Sequence, residues 1–255
     1  AGSAAVKRTL EDTLVLALQH PDRFDAVARK TRERFESPRP KSFLFFGPPG
    51  NGKTLAARIL ASRCDKPMVH VPLERIVGKY YGESEKKLAR VFELCEEMGG
   101  AIVFIDEVDA LAGSREREMH EATRRMLAVV LTHLQGFDGE STNTVICATN
   151  RRDDLDTALL SRFDTMVHFP PPDLDTRVEV LRRYARHLSE PGLQQLARAS
   201  RGMSCRGLKL ACEQAERTWA SRAIRGEELS EAPDVEQYLH CIGERRDPRN
   251  RPVGV

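Results

Sequence analysis

The chain has 255 residues, 40% hydrophobic and 31% charged, with 40 basic against 38 acidic residues and a formal charge of +2. That length suffices for one large domain, or a large domain with a smaller one attached, and needs no disulfide or metal staple to bury a core. The near-neutral balance supplies no global field for nucleic acid or an anionic membrane, and no apolar run approaches the length that spans a bilayer.

The first eight residues, AGSAAVKR, resemble a cloning scar or loose lead-in more than a signal peptide, and the native N-terminus is expected further upstream. The basic segment Ala28 to Lys41 is interrupted by Glu33 and Glu36 and holds one aromatic, which favours a solvated connector over a nucleic-acid patch. Short apolar runs then recur: Ser42 to Phe46, Met68 to Val71, Ala101 to Ile105, Thr144 to Ala148 and Thr165 to Phe169. Between them lie helical spacings, such as Leu88, Val91, Phe92 and Cys95, or Ala122, Met126, Val129, Val130 and His133. Near-continuous apolar strands alternating with amphipathic helices predict an α/β domain, a parallel sheet covered on both faces. The prolines of FPPPD, Phe169 to Asp173, end that pattern. Beyond them only helical signals appear: Leu174 to Leu188, Gly192 to Ser200, Arg206 to Ile224 and Asp234 to Cys241. The expected organisation is an α/β domain over 1–169, a small all-helical domain over 170–243 and a loosely ordered polar tail over 244–255. The six cysteines are scattered without a C-x-x-C pair, so buried, reduced thiols of an intracellular protein are expected.

Three motifs carry chemistry. FFGPPGNGKT contains G-x-x-x-x-G-K-[ST] directly after an apolar strand and before a helical LAARILASR. Glycines let backbone N–H groups close around phosphates, Lys53 can reach the β- and γ-phosphates, and the Thr54 hydroxyl can ligate Mg²⁺. A random chain of this length shows the pattern roughly one time in a hundred. Gly47, Pro48, Pro49, Gly50, Asn51, Gly52, Lys53, Thr54 and Leu55 are the expected nucleotide-binding residues. AIVFIDEVDAL then ends a strand in Asp106 and Glu107, placing carboxylates where an open α/β sheet binds its ligand. There Asp106 can hold Mg²⁺ and Glu107 can orient and deprotonate the attacking water, the alternative being a helix-capping acidic pair. TVICATN ends a third strand in Asn150, whose amide can hold the lytic water or γ-phosphate, or can simply make a turn.

Over nearly its whole length the chain resembles an AAA ATPase module: GPPGNGKT, IDEVD and CATN match the family's Walker A, Walker B and sensor 1 segments in order. PDRF (Pro21 to Phe24) upstream, PPPDLDTRVEVL at the interdomain link and RGMSCRGLKLACEQA in the helical lid match as well, and HEATRR (His120 to Arg125) is similar to the katanin and spastin group. The resemblance implies a P-loop NTPase fold with a parallel five-stranded sheet and a helical lid, hydrolysing ATP with Mg²⁺. It further implies a ring, usually a hexamer, with Arg162 in DTALLSRFD as an arginine finger reaching a neighbour's nucleotide, and with an adaptor N-terminal to the module. Ser161 stands where katanin-like relatives carry a second arginine, and Cys205 to Leu208 where relatives commonly read G-A-D-L. The resemblance also places Arg206 in the lid near the γ-phosphate, with a solvated arginine as the alternative. It places Tyr184 near the adenine, whereas its register with Leu181 and Leu188 predicts core packing. GKYYGESEKK falls at the first pore loop: Lys79, Tyr80, Tyr81 and Gly82 match a Lys-aromatic-x-Gly pattern whose flat rings can grip a polypeptide without sequence selectivity. Ser114 to Glu121 resembles the second pore loop, or a solvated helix start. The function this implies is remodelling of a protein substrate through a central pore; the alternatives are an ATP-gated scaffold and a nucleic-acid motor, the latter disfavoured by charge.

Overall fold

The structure, a computed structural model, describes residues 4–73, 83–112, 121–135, 142–227 and 230–246. By contacts the chain divides into two units. One comprises Ala4–Gly47 and Lys53–Phe169; the other comprises Ala1–Ser3, Pro48–Gly52 and Pro170–Val255.

The first unit opens with α1 (Ala4–Leu10), a π-helical turn (Glu11–Val15), α2 (Leu16–Gln19) and α3 (Pro21–Thr31). Residues 4–8, expected as a loose lead-in, are therefore helical, because the helix they begin carries Leu10, Leu14 and Val15 into the core. There follow β1 (Ser42–Phe46), α4 (Lys53–Arg63), β2 (Met68–Val71), α5 (Glu83–Glu97), β3 (Ile102–Ile105), α6 (Asp109–Ala112), α7 (Glu121–Gln135), β4 (Thr144–Thr149), α8 (Thr157–Leu160) and β5 (Thr165–His168). All pairings are parallel, in the order β2-β3-β4-β1-β5.

Alternation along the strands divides the core into two layers. Leu44, Val103, Ile105, Val145 and Cys147 face one side, where α5 supplies Leu88, Phe92 and Cys95 and α7 supplies Met126, Val130 and Leu134. Phe43, Phe45, Ile102, Phe104, Ile146 and Ala148 face the other, covered by Leu10, Leu14 and Val15 and by Ala57, Leu60 and Ala61 of α4. The i, i+4, i+7 stripe read in α5 is thus its buried face, and His133 of α7 stacks on Phe92 with ring centroids 3.9 Å apart. All six cysteines are free thiols, and burial pushes those of Cys147 and Cys212 up, away from the reactive thiolate.

The second unit is helical: α9 (Leu174–Tyr184), α10 (Glu190–Ala199), α11 (Cys205–Ile224) and α12 (Val235–Arg246), around Leu181, Leu196, Leu208, Ala211, Tyr238 and Ile242. Its buried Arg177 is satisfied by carbonyls, donating from Nε to Ala197 O (2.8 Å) and from Nη1 to Pro172 O (2.7 Å). Two expectations change here. α9 stops at Tyr184 rather than Leu188, because Ala185 leaves helical backbone (φ −132°, ψ 50°) and takes the buried place itself. α12 runs on to Arg246, past the Gly243 expected to end ordered structure, and Arg246 Nη1 donates to Ala199 O.

α9 is capped by Asp173, whose Oδ1 accepts the Thr176 N–H at 2.8 Å, and that bond lowers the carboxyl pKa. Asp173→Ala is expected to destabilise the helical unit by about 1 kcal/mol. A carboxyl depressed in the folded state contributes stability that is present above its unfolded value, about 3.9, and lost as pH falls through the folded one. Asp173→Asn, which retains the cap, should therefore match the parent near neutral pH while showing a flatter acid limb; melting temperature against pH measures both.

Candidate active site

Register brings the motif residues of the first unit together. Phe46 pairs with Thr149, which sets Gly47 beside Asn150, and Ile105 pairs with Cys147, which sets Asp106 beside Ala148. The pairing continues one step past the strand, with Val108 N–H donating to Ala148 O at 3.0 Å. The carboxyl ends of three adjacent strands, β3, β4 and β1, thus carry Asp106, Asn150 and Gly47 on one edge of the sheet, the edge at which open α/β sheets bind ligands.

At Gly47 the backbone has φ +139°, and an added Cβ would lie 2.2 Å from Phe169 O, so no other residue fits. Lys53 begins α4 and is only 7% exposed. Its Nζ donates to Gly47 O and to Asn150 Oδ1, each at 2.7 Å. Burial lowers the ammonium pKa, while the charges of Asp106 and Asp109 oppose that fall. Next to it, Thr54 Oγ1 donates to Asp106 Oδ2 at 3.1 Å, and Asp106 Oδ1 accepts the N–H of Glu107 at 3.0 Å. A hydroxyl and a carboxylate at this spacing form an oxygen donor set suited to Mg²⁺. Glu107 itself is exposed, with its backbone in the left-handed region at φ +54°, a conformation that costs about 1–3 kcal/mol and concentrates at functional sites.

Two residues at this edge were not singled out from sequence. Asp109, the last residue of IDEVD, opens α6 and accepts from Thr149 Oγ1 at 2.7 Å; the Thr149 oxygen in turn accepts the Arg151 N–H at 2.9 Å. This ties the residue after Asn150 to the acidic motif. The signal was the second aspartate of the motif, three residues after Asp106, which the strand-end argument passed over.

Within the second unit, Gly50 O accepts the Arg206 N–H at 2.9 Å and Asn51 Oδ1 faces the Cys205 N–H at 3.4 Å, so the start of α11 is bonded to this part of the loop. A Cβ on Gly50, whose φ is +76°, would meet the Arg206 Cβ and Ser204 Oγ at 2.9 Å. Pro48 and Pro49 are exposed, as is the Arg206 side chain. Tyr184, expected to pack in the core, is 37% exposed at the end of α9, whereas Leu181 is fully buried. Leu55, on the outer face of α4 in the first unit, is 55% exposed.

Arg162 lies away from the motif edge. It follows α8, and its carbonyl accepts from Ser42 Oγ at 3.1 Å at the beginning of β1, while its side chain is exposed. From Ser42 to Gly47 the strand rises about 16 Å, so Arg162 and Lys53 occupy opposite ends of the sheet. Lys79, Tyr80, Tyr81 and Gly82, and most of Ser114 to Glu121, lie outside the described residues. Among the described residues no helix is long and apolar enough to cross a membrane.

Residues 43–171 match the family model for "ATPase family associated with various cellular activities (AAA)". The chain is 35% identical over 213 residues to a Cell division cycle protein 48 homolog of Archaeoglobus fulgidus, covering 82% of this chain and 28% of that protein. It is 36% identical to the proteasome-activating nucleotidase of Pyrococcus horikoshii, covering 81% and 51%, and 35% identical to spastin of Anopheles gambiae, covering 80% and 24%. The chain thus spans from about a quarter to about a half of the length of these relatives. Among solved structures, the FIGL-1 AAA domain in complex with ADP aligns over 100% of this chain and 84% of that one, with a TM-score of 0.76 at 24% identity, a likeness of fold.

Proposed function

Because the chain belongs to the AAA family of ATPases, we propose that it hydrolyses ATP in a ring, usually a hexamer in this family, and uses the cycle to remodel a protein substrate. The observation that supports this most directly is the gathering of Lys53, Thr54, Asp106 and Asn150 at adjoining strand ends, with Lys53 bonded to Asn150 and Thr54 to Asp106.

In this reading Lys53 turns its ammonium from Gly47 O and Asn150 Oδ1 to the β- and γ-phosphates, and the amide of Asn150 is then available to the γ-phosphate or the lytic water. Thr54 and Asp106 would hold Mg²⁺, which would neutralise charge on the β- and γ-phosphates. Glu107, held by its N–H bond to Asp106, orients the water and takes its proton. The carboxylates of Asp106 and Asp109 raise the lysine's proton affinity against burial and thereby favour the charged form that phosphate needs. Arg206, at the start of α11, is the lid cation of this scheme, and Tyr184 lies on the accessible surface where an adenine could meet it. Arg162 stands about 16 Å along the sheet from Gly47, too far to serve its own pocket, and so acts on a neighbour's.

The remodelling activity rests on Lys79, Tyr80, Tyr81 and Gly82 as a pore loop, with any adaptor outside this chain. A folded fluorescent domain fused to an unstructured tail tests it: ATP-dependent loss of fluorescence is expected, and Tyr80→Ala should abolish that loss while ATP turnover persists. Unfolding that survives Tyr80→Ala would remove the loop from the mechanism, and ATP turnover with no effect on any tailed substrate would favour the scaffold alternative.

A further inference from the structure

We propose that Asp164, acting through Ser42, is a positioning residue for Arg162; this rests on reading Arg162 as the residue that completes a neighbour's pocket. The pairing of Phe43 with Thr165 sets Asp164 directly opposite Ser42 at the first step of the β1/β5 ladder. One carboxylate oxygen there, Asp164 Oδ2, accepts the N–H of Lys41 (2.8 Å), the N–H of Ser42 (2.9 Å) and faces the Ser42 hydroxyl (2.9 Å). The hydroxyl oxygen accepts the Asp164 N–H at 2.9 Å, and its proton is shared between that carboxylate and the carbonyl of Arg162 at 3.1 Å. Ser42 is 1% exposed, so its hydroxyl is shielded from water; Asp164 itself is exposed, and its carboxylate adds the strength of hydrogen bonds to a charged acceptor.

The backbone of Arg162 is held from its other side as well. Its N–H donates to Leu159 O at 3.1 Å, in a turn capped by Asp156, whose Oδ1 accepts the Leu159 N–H. Phe163, 7% exposed, is packed in the core layer shared with α5 and α7. Asp156, Phe163 and the Asp164–Ser42 pair therefore fix the peptide units on either side of Arg162 and leave only its side chain to project into solvent. Asp156 and Asp164 are the charged members of the set, and Asp164 is the one anchored to the sheet rather than to the turn. Motif reading passes over it because it lies after the arginine and touches no nucleotide.

A reacting group displaced by about 1 Å can lose about a hundredfold in rate. Asp164→Asn is accordingly expected to lower kcat for ATP by roughly 10- to 100-fold with KM for ATP little changed, and Ser42→Ala, which removes only the hydroxyl, should lower kcat in the same direction. The decisive readout is mixing. Glu107→Gln chains have a disabled pocket and an intact Arg162, whereas Asp164→Asn chains have an intact pocket and a displaced Arg162. An equimolar mixture should turn over ATP several-fold faster than either parent, because pockets of the second kind meet arginines of the first. Arg162→Ala mixed with Glu107→Gln is the reference for the finger itself. If Arg162→Ala keeps the parent kcat, the finger reading fails. If the reference pair complements but Asp164→Asn keeps its rate, or loses it without complementation, the positioning role is overturned while the finger stands. Should Asp164→Asn fail to fold, Ser42→Ala in the same mixture decides.

Discussion

Glu107→Gln is expected to lower steady-state ATP turnover by about 10²–10⁴-fold, the contribution of a positioned general base, while nucleotide affinity stays close to that of the parent chain. The substitution keeps the length and branching of the side chain, so the left-handed backbone at this residue is neither relieved nor worsened. It also keeps the N–H that donates to Asp106, leaving the Thr54 and Asp106 pair as it is. Phosphate release and equilibrium binding of a fluorescent ATP analogue separate the two effects. Undiminished turnover would remove Glu107 from the chemistry and leave the helix-capping account of the acidic pair. Lost binding would instead point to a collapsed loop, which Asp106→Asn would reproduce.

Arg162→Ala is expected to cost about 10³–10⁵-fold in kcat, the range seen for arginines supplied across an interface to a transferring phosphoryl group. Its exposed position in the turn between α8 and β5, remote from Gly47 and Lys53, means the loss should depend on assembly. For the parent chain, turnover per chain is expected to rise with protein concentration as pockets become completed by neighbours. For Arg162→Ala it should stay low at every concentration, with oligomer mass by light scattering unaltered. A parent chain whose turnover per molecule is independent of dilution well below its assembly range would contradict completion in trans. Ser161, where relatives of the katanin group carry a second arginine, leaves Arg162 without a neighbouring substitute, which favours the upper part of that range.

The strands and the order of the motifs were legible because their signals are local. A run such as Phe43, Leu44 and Phe45 can be buried only by covering both faces of the sheet, and G-x-x-x-x-G-K-T demands a loop whose glycines adopt backbone closed to other residues; both follow from side-chain chemistry and φ alone. The buried stripe of α5 belongs to the same class. Where periodicity was asked to predict an end, it failed by a turn: Tyr184 looked like the next member of the Leu181 stripe, but Ala185 breaks the helix and fills the place instead.

Everything that depends on which strands lie side by side came from the tertiary structure. Nothing local says that β4 lies between β3 and β1, yet that order is what sets Asn150 against Lys53 and lets Thr149 hold Asp109, just as the pairing of β1 with β5 brings Asp164 opposite Ser42 from 122 residues away. The amino-acid sequence by itself determined the element types, the two-faced sheet, the phosphate loop and the carboxylates at a strand end, since each is encoded within a few residues. The tertiary structure alone decided that Lys53 and Arg162 stand at opposite edges of the sheet, because the register of parallel strands is set by the packing of both core layers at once.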